Sequence, residues 1–116
     1  MPEREDFSTV QYLYLTTTGR TTGLAREIEI WFVTHAGRFY ILAEHFHRTQ
    51  WVKNILANAQ VGVRVNGREF AATARVLDEQ SDAPLYQLAQ QLEHEKYGWG
   101  DGLPVEITPI ESTVAV

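Results

Sequence analysis

The stretch "QVGVRVNGREFAATARVL", Gln60 to Leu77, decides how this chain folds. Val61, Val63 and Val65 alternate with Gly62 and Arg64, and a period of two places alternate side chains on opposite faces of a strand. Asn66-Gly67 then stops the run. Both residue types tolerate positive φ, which the tightest hairpin turns demand at their two central positions. Phe70 to Leu77 resumes with strand-like composition, so the stretch reads as an antiparallel hairpin.

Toward the N-terminus, "QYLYLTT" (Gln11 to Thr17) is rich in aromatic, aliphatic and β-branched residues and reads as a strand. "REIEIWFV" (Arg26 to Val33) alternates, with Ile28, Ile30 and Phe32 on one face and Glu27, Glu29 and Trp31 on the other. "HAGR" (His35 to Arg38) supplies a tight turn, and "FYILA" (Phe39 to Ala43) a short, wholly apolar strand. The period then changes. Trp51, Val52, Ile55, Leu56 and Ala59 fall at helical spacing, which predicts a short amphipathic helix over Thr49 to Asn58 with Thr49 as N-cap.

Beyond the hairpin, "SDAP" from Ser81 combines a cap residue, a first-turn acid and an early proline. It opens a second helix whose apolar face is Leu85, Leu88, Ala89 and Leu92. The loop "KYGWGDG" (Lys96 to Gly102) leads into a last strand, "LPVEITPI". Six short strands with two inserted helices, joined mostly by links too short for parallel crossovers, predict a mainly β fold: one antiparallel barrel spanning residues 1–116. A barrel of this size usually leaves an apolar face to cover, so a homodimer is expected.

Composition narrows the function classes. A net charge of −5 over 116 residues argues against nucleic acid as the main partner, because phosphate-backbone binding normally leaves a basic footprint. The chain has no cysteine, which removes thiolate chemistry and fits a reducing, cytoplasmic setting. The charged opening "MPEREDF" has no apolar core of a signal peptide, and no stretch approaches the roughly 20 apolar residues of a membrane span. Eight of the ten cationic side chains are arginines, the type suited to bidentate contacts with phosphate or carboxylate.

Two of those arginines lie in "TTTGRTTGLAR", Thr16 to Arg26. Glycine-freed backbone amides, threonine hydroxyls, Arg20 and Arg26 are the donors an anion site uses. The spacing is not that of a P-loop, and a solvated turn would use the same residues. His45-Phe46-His47 follows the third strand; two histidines at this spacing can chelate a metal on a strand, but no carboxylate is fixed nearby and the i, i+4 spacing of helical zinc sites is absent. It reads rather as a pocket edge where histidine donates a hydrogen bond or proton, or as an exposed loop. Trp51 shares the apolar stripe with Ile55, while Asn54 in a helix interior is expected to bond a neighbouring loop. Tyr97 and Trp99 either line a ligand entrance or plug a barrel end. No serine or cysteine nucleophile motif and no paired catalytic carboxylates stand out.

Taken together, "LTTTGRTTGLAR", "FYILA" and "WVKNILANAQVGVRV" resemble the deazaflavin-dependent nitroreductase and quinone-reductase family. Leu15 to Arg26 match its block L-T-T-x-G-R-[KR]-[ST]-G-x-x-R, with Thr21 at the second basic position. Trp51, Asn54, Ile55, Ala57 and Asn58 match P-x-W-x-x-N-L-x-A-N-P, and "EHFHR" stands where the family has Ser-x-Gly-Gly. The resemblance implies a split β-barrel related to flavin-binding pyridoxamine-phosphate oxidases. It implies binding of the deazaflavin coenzyme F420, with FMN as the alternative, through Arg20, Thr21, Thr22, Arg26, Glu44, His45, Arg48, Trp51 and Asn54. It further implies hydride transfer to a small electrophile (a quinone, nitroaromatic or activated alkene), with His45 and Tyr97 as candidate proton donors. A non-catalytic carrier of flavin, deazaflavin or haem on the same barrel is the second expectation.

Overall fold

The computed structural model describes residues 7–110; the charged lead-in lies largely outside them. Seven strands form one sheet: β1 (Leu13–Thr18), β2 (Ala25–Ile30), β3 (Val33–His35), β4 (Arg38–Ala43), β5 (Gln60–Val65), β6 (Arg68–Val76) and β7 (Leu103–Pro109). A 3-10 turn (Phe46–Arg48) and helix α1 (Gln50–Ala57) link β4 to β5, and helix α2 (Ala83–Tyr97) links β6 to β7. The sheet order is β2-β1-β5-β6-β7-β4-β3, and every pairing is antiparallel.

The two edge strands, β2 and β3, are consecutive in the chain and separated only by Trp31 and Phe32. A two-residue link cannot span a flat seven-stranded sheet, so the sheet must curl until its edges meet. That is the split barrel. The sequence reads six strands because Arg26 to Val33 reads as one alternating run; the structure breaks it at a corner, where Phe32 and Val33 are buried in succession.

The decisive hairpin forms as read. Val65 pairs with Arg68 across Asn66 and Gly67, whose φ values of 51° and 80° match a turn with both central residues left-handed. Leu13 and Leu15 of β1 pack with Val61, Val63 and Val65 of β5 and Ala72 and Ala74 of β6 to form the interior. β4 is buried from Phe39 to Ala43 on both faces, because α2 covers the sheet over β3, β4 and β7. Wholly apolar composition is what such a strand needs. α1 packs instead on β1 and β6, beside the loop that leaves β1. No helix among the described residues is long and apolar enough to cross a membrane.

Candidate functional site

Two adjoining cavities meet at Trp51, which lines both. The first, of about 420 Å³, is built from the β1–β2 loop and one face of α1. Its loop folds back tightly: Gly19 N–H donates to Leu24 O at 2.8 Å and Gly23 N–H to Gly19 O at 2.7 Å. A Cβ at Gly19 would stand 2.9 Å from Thr22 Oγ1 and 3.2 Å from Leu24 O, so this position requires glycine. Thr22 Oγ1 accepts the Leu24 amide at 3.2 Å, which fixes the turn.

Asn54 joins this loop to the helix. Its Oδ1 accepts from Arg20 Nη1 at 2.8 Å and from the Arg20 amide at 3.2 Å, while its Nδ2 donates to Thr17 Oγ1 at 3.2 Å. Arg20 Nη2 also donates to Gln50 Oε1 at 2.8 Å. The guanidinium is thereby aimed by α1 while staying exposed to solvent. Arg26, Thr21 and Thr22 complete the wall, and no acidic side chain lines the cavity in a chain of net charge −5. Two arginines and threonine hydroxyls with no competing carboxylate are the donor set that an anion would need. Thr17 and Gln50 belong to it as well. Neither stands out in the sequence, because their part depends on how α1 docks.

The second cavity is a groove of about 610 Å³ between the β2–β3 corner, the end of β4, the start of α1 and the loop after α2. All three tryptophans of the chain, Trp31, Trp51 and Trp99, line it, with Tyr12, Leu42 and Ile30. Its polar edge carries Glu29, Glu44, His45, Thr49 and Glu93. Trp99 is held there by a loop pressed against its surroundings: a Cβ at Gly100 would collide with Gln90 O, and one at Gly102 would stand 2.8 Å from Ala43 O.

Glu44 and His45 thus reach the groove, and Arg20, Thr21, Thr22, Arg26 and Asn54 gather in the anion cavity. Trp51 joins the two sets. Arg48 is exposed at the end of the 3-10 turn and lines neither cavity. Tyr97 also stands outside. Its hydroxyl accepts the Phe32 amide at 3.1 Å and lies 2.9 Å from both Phe32 O and Gln11 O, and burial pushes it up to about 12. The ring stacks on Trp31 at 4.4 Å, so Tyr97 orients a groove wall and keeps its own proton bound to backbone.

Phe46, within the "EHFHR" segment, takes a left-handed φ of 52°, a conformation that costs an L-residue about 1–2 kcal/mol. Glu93 is the groove-lining residue that the sequence reading passes over. It is 1% exposed and lies on the buried stripe Tyr86–Ala89–Glu93 of α2. That i, i+3, i+7 spacing is its only sequence signal.

Comparison with known proteins agrees with this architecture. Residues 3–108 match the family model for F420H(2)-dependent quinone reductase. Among solved structures, the haem storage protein HutZ from Vibrio cholerae superposes with a TM-score of 0.71 at 17% identity, covering 91% of this chain and 87% of that one. An F420-H2 dependent reductase, FDR-A, gives 0.60 at 24% identity over 83% of this chain and 91% of the other. A pyridoxamine 5'-phosphate oxidase from Listeria innocua gives 0.70 at 12% identity over 90% and 88%. No curated protein sequence matches the chain. These structural likenesses establish the split-barrel fold, and the match over nearly the whole length establishes the rest: the chain belongs to the F420H(2)-dependent quinone reductase family.

Proposed function

We propose that the protein is a small F420-dependent reductase that passes hydride to an electrophilic acceptor, a quinone first and a nitroaromatic or activated alkene second. The observation that carries this reading is the junction at Trp51 of a cationic cavity free of acids and an aromatic groove. The donor set fits the cofactor. Arg20 and Arg26, with Thr21 and Thr22, would hold its anionic tail, and Trp51 would support its planar ring. When bound, F420 supplies the hydride chemistry; the chain's own residues orient, exclude water and manage protons. A homodimer covering exposed apolar side chains such as Tyr12 and Leu24 is part of the proposal, and a fold relative described as a domain-swapped dimer supports it.

The test is titration of purified protein with oxidised F420 and with FMN, followed by absorbance and fluorescence. Saturable F420 binding, weakened at least about tenfold when Arg20→Ala and Arg26→Ala are combined, is expected. Failure of both ligands to bind at tens of micromolar would overturn the reading. A second reading, haem or flavin carriage without turnover, is favoured by one observation: His45 lines a groove on a fold shared with a haem storage protein. It predicts a Soret band on haem addition that shifts in His45→Ala, and no F420-dependent turnover.

A further inference from the structure

Among the described residues, two buried side-chain atoms have no hydrogen-bond partner: Thr49 Oγ1 and Glu93 Oε2. Both residues line the aromatic groove. They come from separate elements, the N-cap of α1 and the last turns of α2, so local sequence does not explain their meeting. An N-cap threonine normally turns its hydroxyl onto a free amide of its own helix, and Thr49 makes no such bond. Unpaired buried polar atoms are costly, and native proteins keep them chiefly where a ligand or reaction uses them.

Glu93 has an obvious candidate partner in Lys96, one turn away, but that ammonium is committed elsewhere. Its Nζ donates to Val10 O at 2.8 Å, Phe32 O at 3.0 Å and Phe7 O at 3.4 Å. The other titratable groups around the groove are Tyr12, Glu29, Glu44 and His45. Of the charged groups near it, Lys96 favours the ionised form of Glu93. Burial dominates and pushes the Glu93 carboxyl up to about 8, with Lys96 opposing. Near neutral pH the group holds a proton, and among the described residues its Oε2 has no partner.

We propose that Glu93 is the acid of the groove, donating its carboxyl O–H to a carbonyl or nitro oxygen of the acceptor, with Thr49 Oγ as a second polar contact. This rests on the reading of the protein as an F420-dependent reductase. For a quinone, two electrons and one proton arrive as hydride from reduced F420, which is thereby oxidised. The second proton comes from Glu93: its O–H bond breaks, an O–H bond forms on the quinone oxygen, and the remaining carboxylate regains a proton from solvent at the open mouth.

The experiment uses menadione as the quinone, since three groove tryptophans report its binding by quenching. In the cofactor-free wild type, affinity is expected to fall about tenfold between pH 6 and pH 9, the worth of one good hydrogen bond. Glu93→Gln, which keeps a donor but no titration, should bind with no pH dependence. With reduced F420 as donor, Glu93→Gln should lose at least about tenfold in kcat at pH 7 with KM for menadione within about twofold. Its pH–rate profile should lack the wild type's alkaline fall. Glu93→Leu, checked for fold by circular dichroism, should lose both binding and rate. Equal menadione affinity in wild type and Glu93→Leu at pH 6, or one shared pH profile for wild type and Glu93→Gln, would overturn the proposal. Failure of F420 to bind while menadione binding keeps its Glu93-dependent pH limb would instead remove the hydride source, and with it the proton-transfer step.

Discussion

Two glutamates are buried in this barrel to nearly the same degree, Glu106 on β7 and Glu93 on α2, at 5% and 1% exposure. Their surroundings could hardly differ more. Glu106 accepts from Tyr40 OH at 2.9 Å and Arg75 Nε at 3.2 Å, and Arg38 Nη1 stands 3.6 Å away. Arg75 continues to Asp82 at 3.1 Å, so the carboxylate ties β4, β6 and β7 to the start of α2. Glu93 lines an open groove together with Leu42 and three tryptophans. A buried carboxylate surrounded by donors holds a fold together; one facing a cavity with no donor costs stability and is available for chemistry. Burial alone therefore says little about a charged residue's role. Its partners decide.

The largest expected effect lies in how stability depends on pH. Glu93 has its folded-state pKa raised from 4.5 to about 8, so the folded chain holds a proton that the unfolded chain releases. Its contribution is complete below about pH 4.5, is lost as pH rises toward about 8, and changes no further above that. The whole window is worth a few kcal/mol at most. Urea midpoints at pH 5, 7 and 9 should fall in the wild type and stay level in Glu93→Gln once other titrations are subtracted. A parallel fall in both would mean that Glu93 has an ionised partner, and the contrast with Glu106 would collapse.

Glu106→Gln comes next and has the opposite sign at neutral pH. Removing the charge leaves Arg38 and Arg75 facing a neutral amide across a buried corner. Both arginines are about half exposed, so the loss should be about 2 kcal/mol, below the value for a fully buried pair. Chemical denaturation measures it directly. If Glu93→Gln were equally destabilising at pH 8, Glu93 would be structural as well.

The two glutamates also mark what the sequence could reveal. The Asn66-Gly67 hairpin, the helix after the third strand and the loop at Thr16–Arg26 carry local signals, since turn chemistry and periodicity act within a few residues. That Arg20, Thr21, Thr22, Arg26 and Asn54 would gather around one cavity was legible because two such blocks, read together, resemble one family pattern. Glu93 was not. A helix read by its apolar residues turns Leu85, Leu88, Ala89 and Leu92 inward; Ala89 is buried and Leu85 and Leu92 pack partly against the core, but the same face also buries Tyr86 and Glu93. Rotation of α2 on the sheet is set by packing against β3, β4 and β7, which no local pattern contains. The same limit hid the corner at Trp31-Phe32, and with it Tyr97's attachment to that corner.

Asn54 stands between the two extremes, bonded on every side like Glu106 but on a cavity wall like Glu93. Asn54→Ala should cost about 1 kcal/mol, by unpairing Thr17 and the Arg20 amide, and weaken F420 binding about tenfold by releasing the Arg20 guanidinium. Stability and affinity should fall together. A loss of stability alone would place Asn54 with Glu106, as a strut near the site rather than part of it.

The smallest effect carries the contrast into the backbone. Glu106 sits within a regular strand, whereas Phe46, next in the chain to His45 of the groove, holds a left-handed φ of 52° and is 39% exposed. Phe46→Gly removes a penalty of about 1–2 kcal/mol and adds about 0.5–1 kcal/mol of unfolded-chain entropy. The side chain also gives up burial worth about 1 kcal/mol, so the variant's stability should stay within about 0.5 kcal/mol of the wild type's, read as an almost unmoved urea midpoint. Menadione and F420 titrations on the same variant then separate two uses of the strain. Unchanged affinities would make Phe46 a strained residue with no part in binding. Weaker menadione binding would show that this ring, beside His45, helps to cover the ligand.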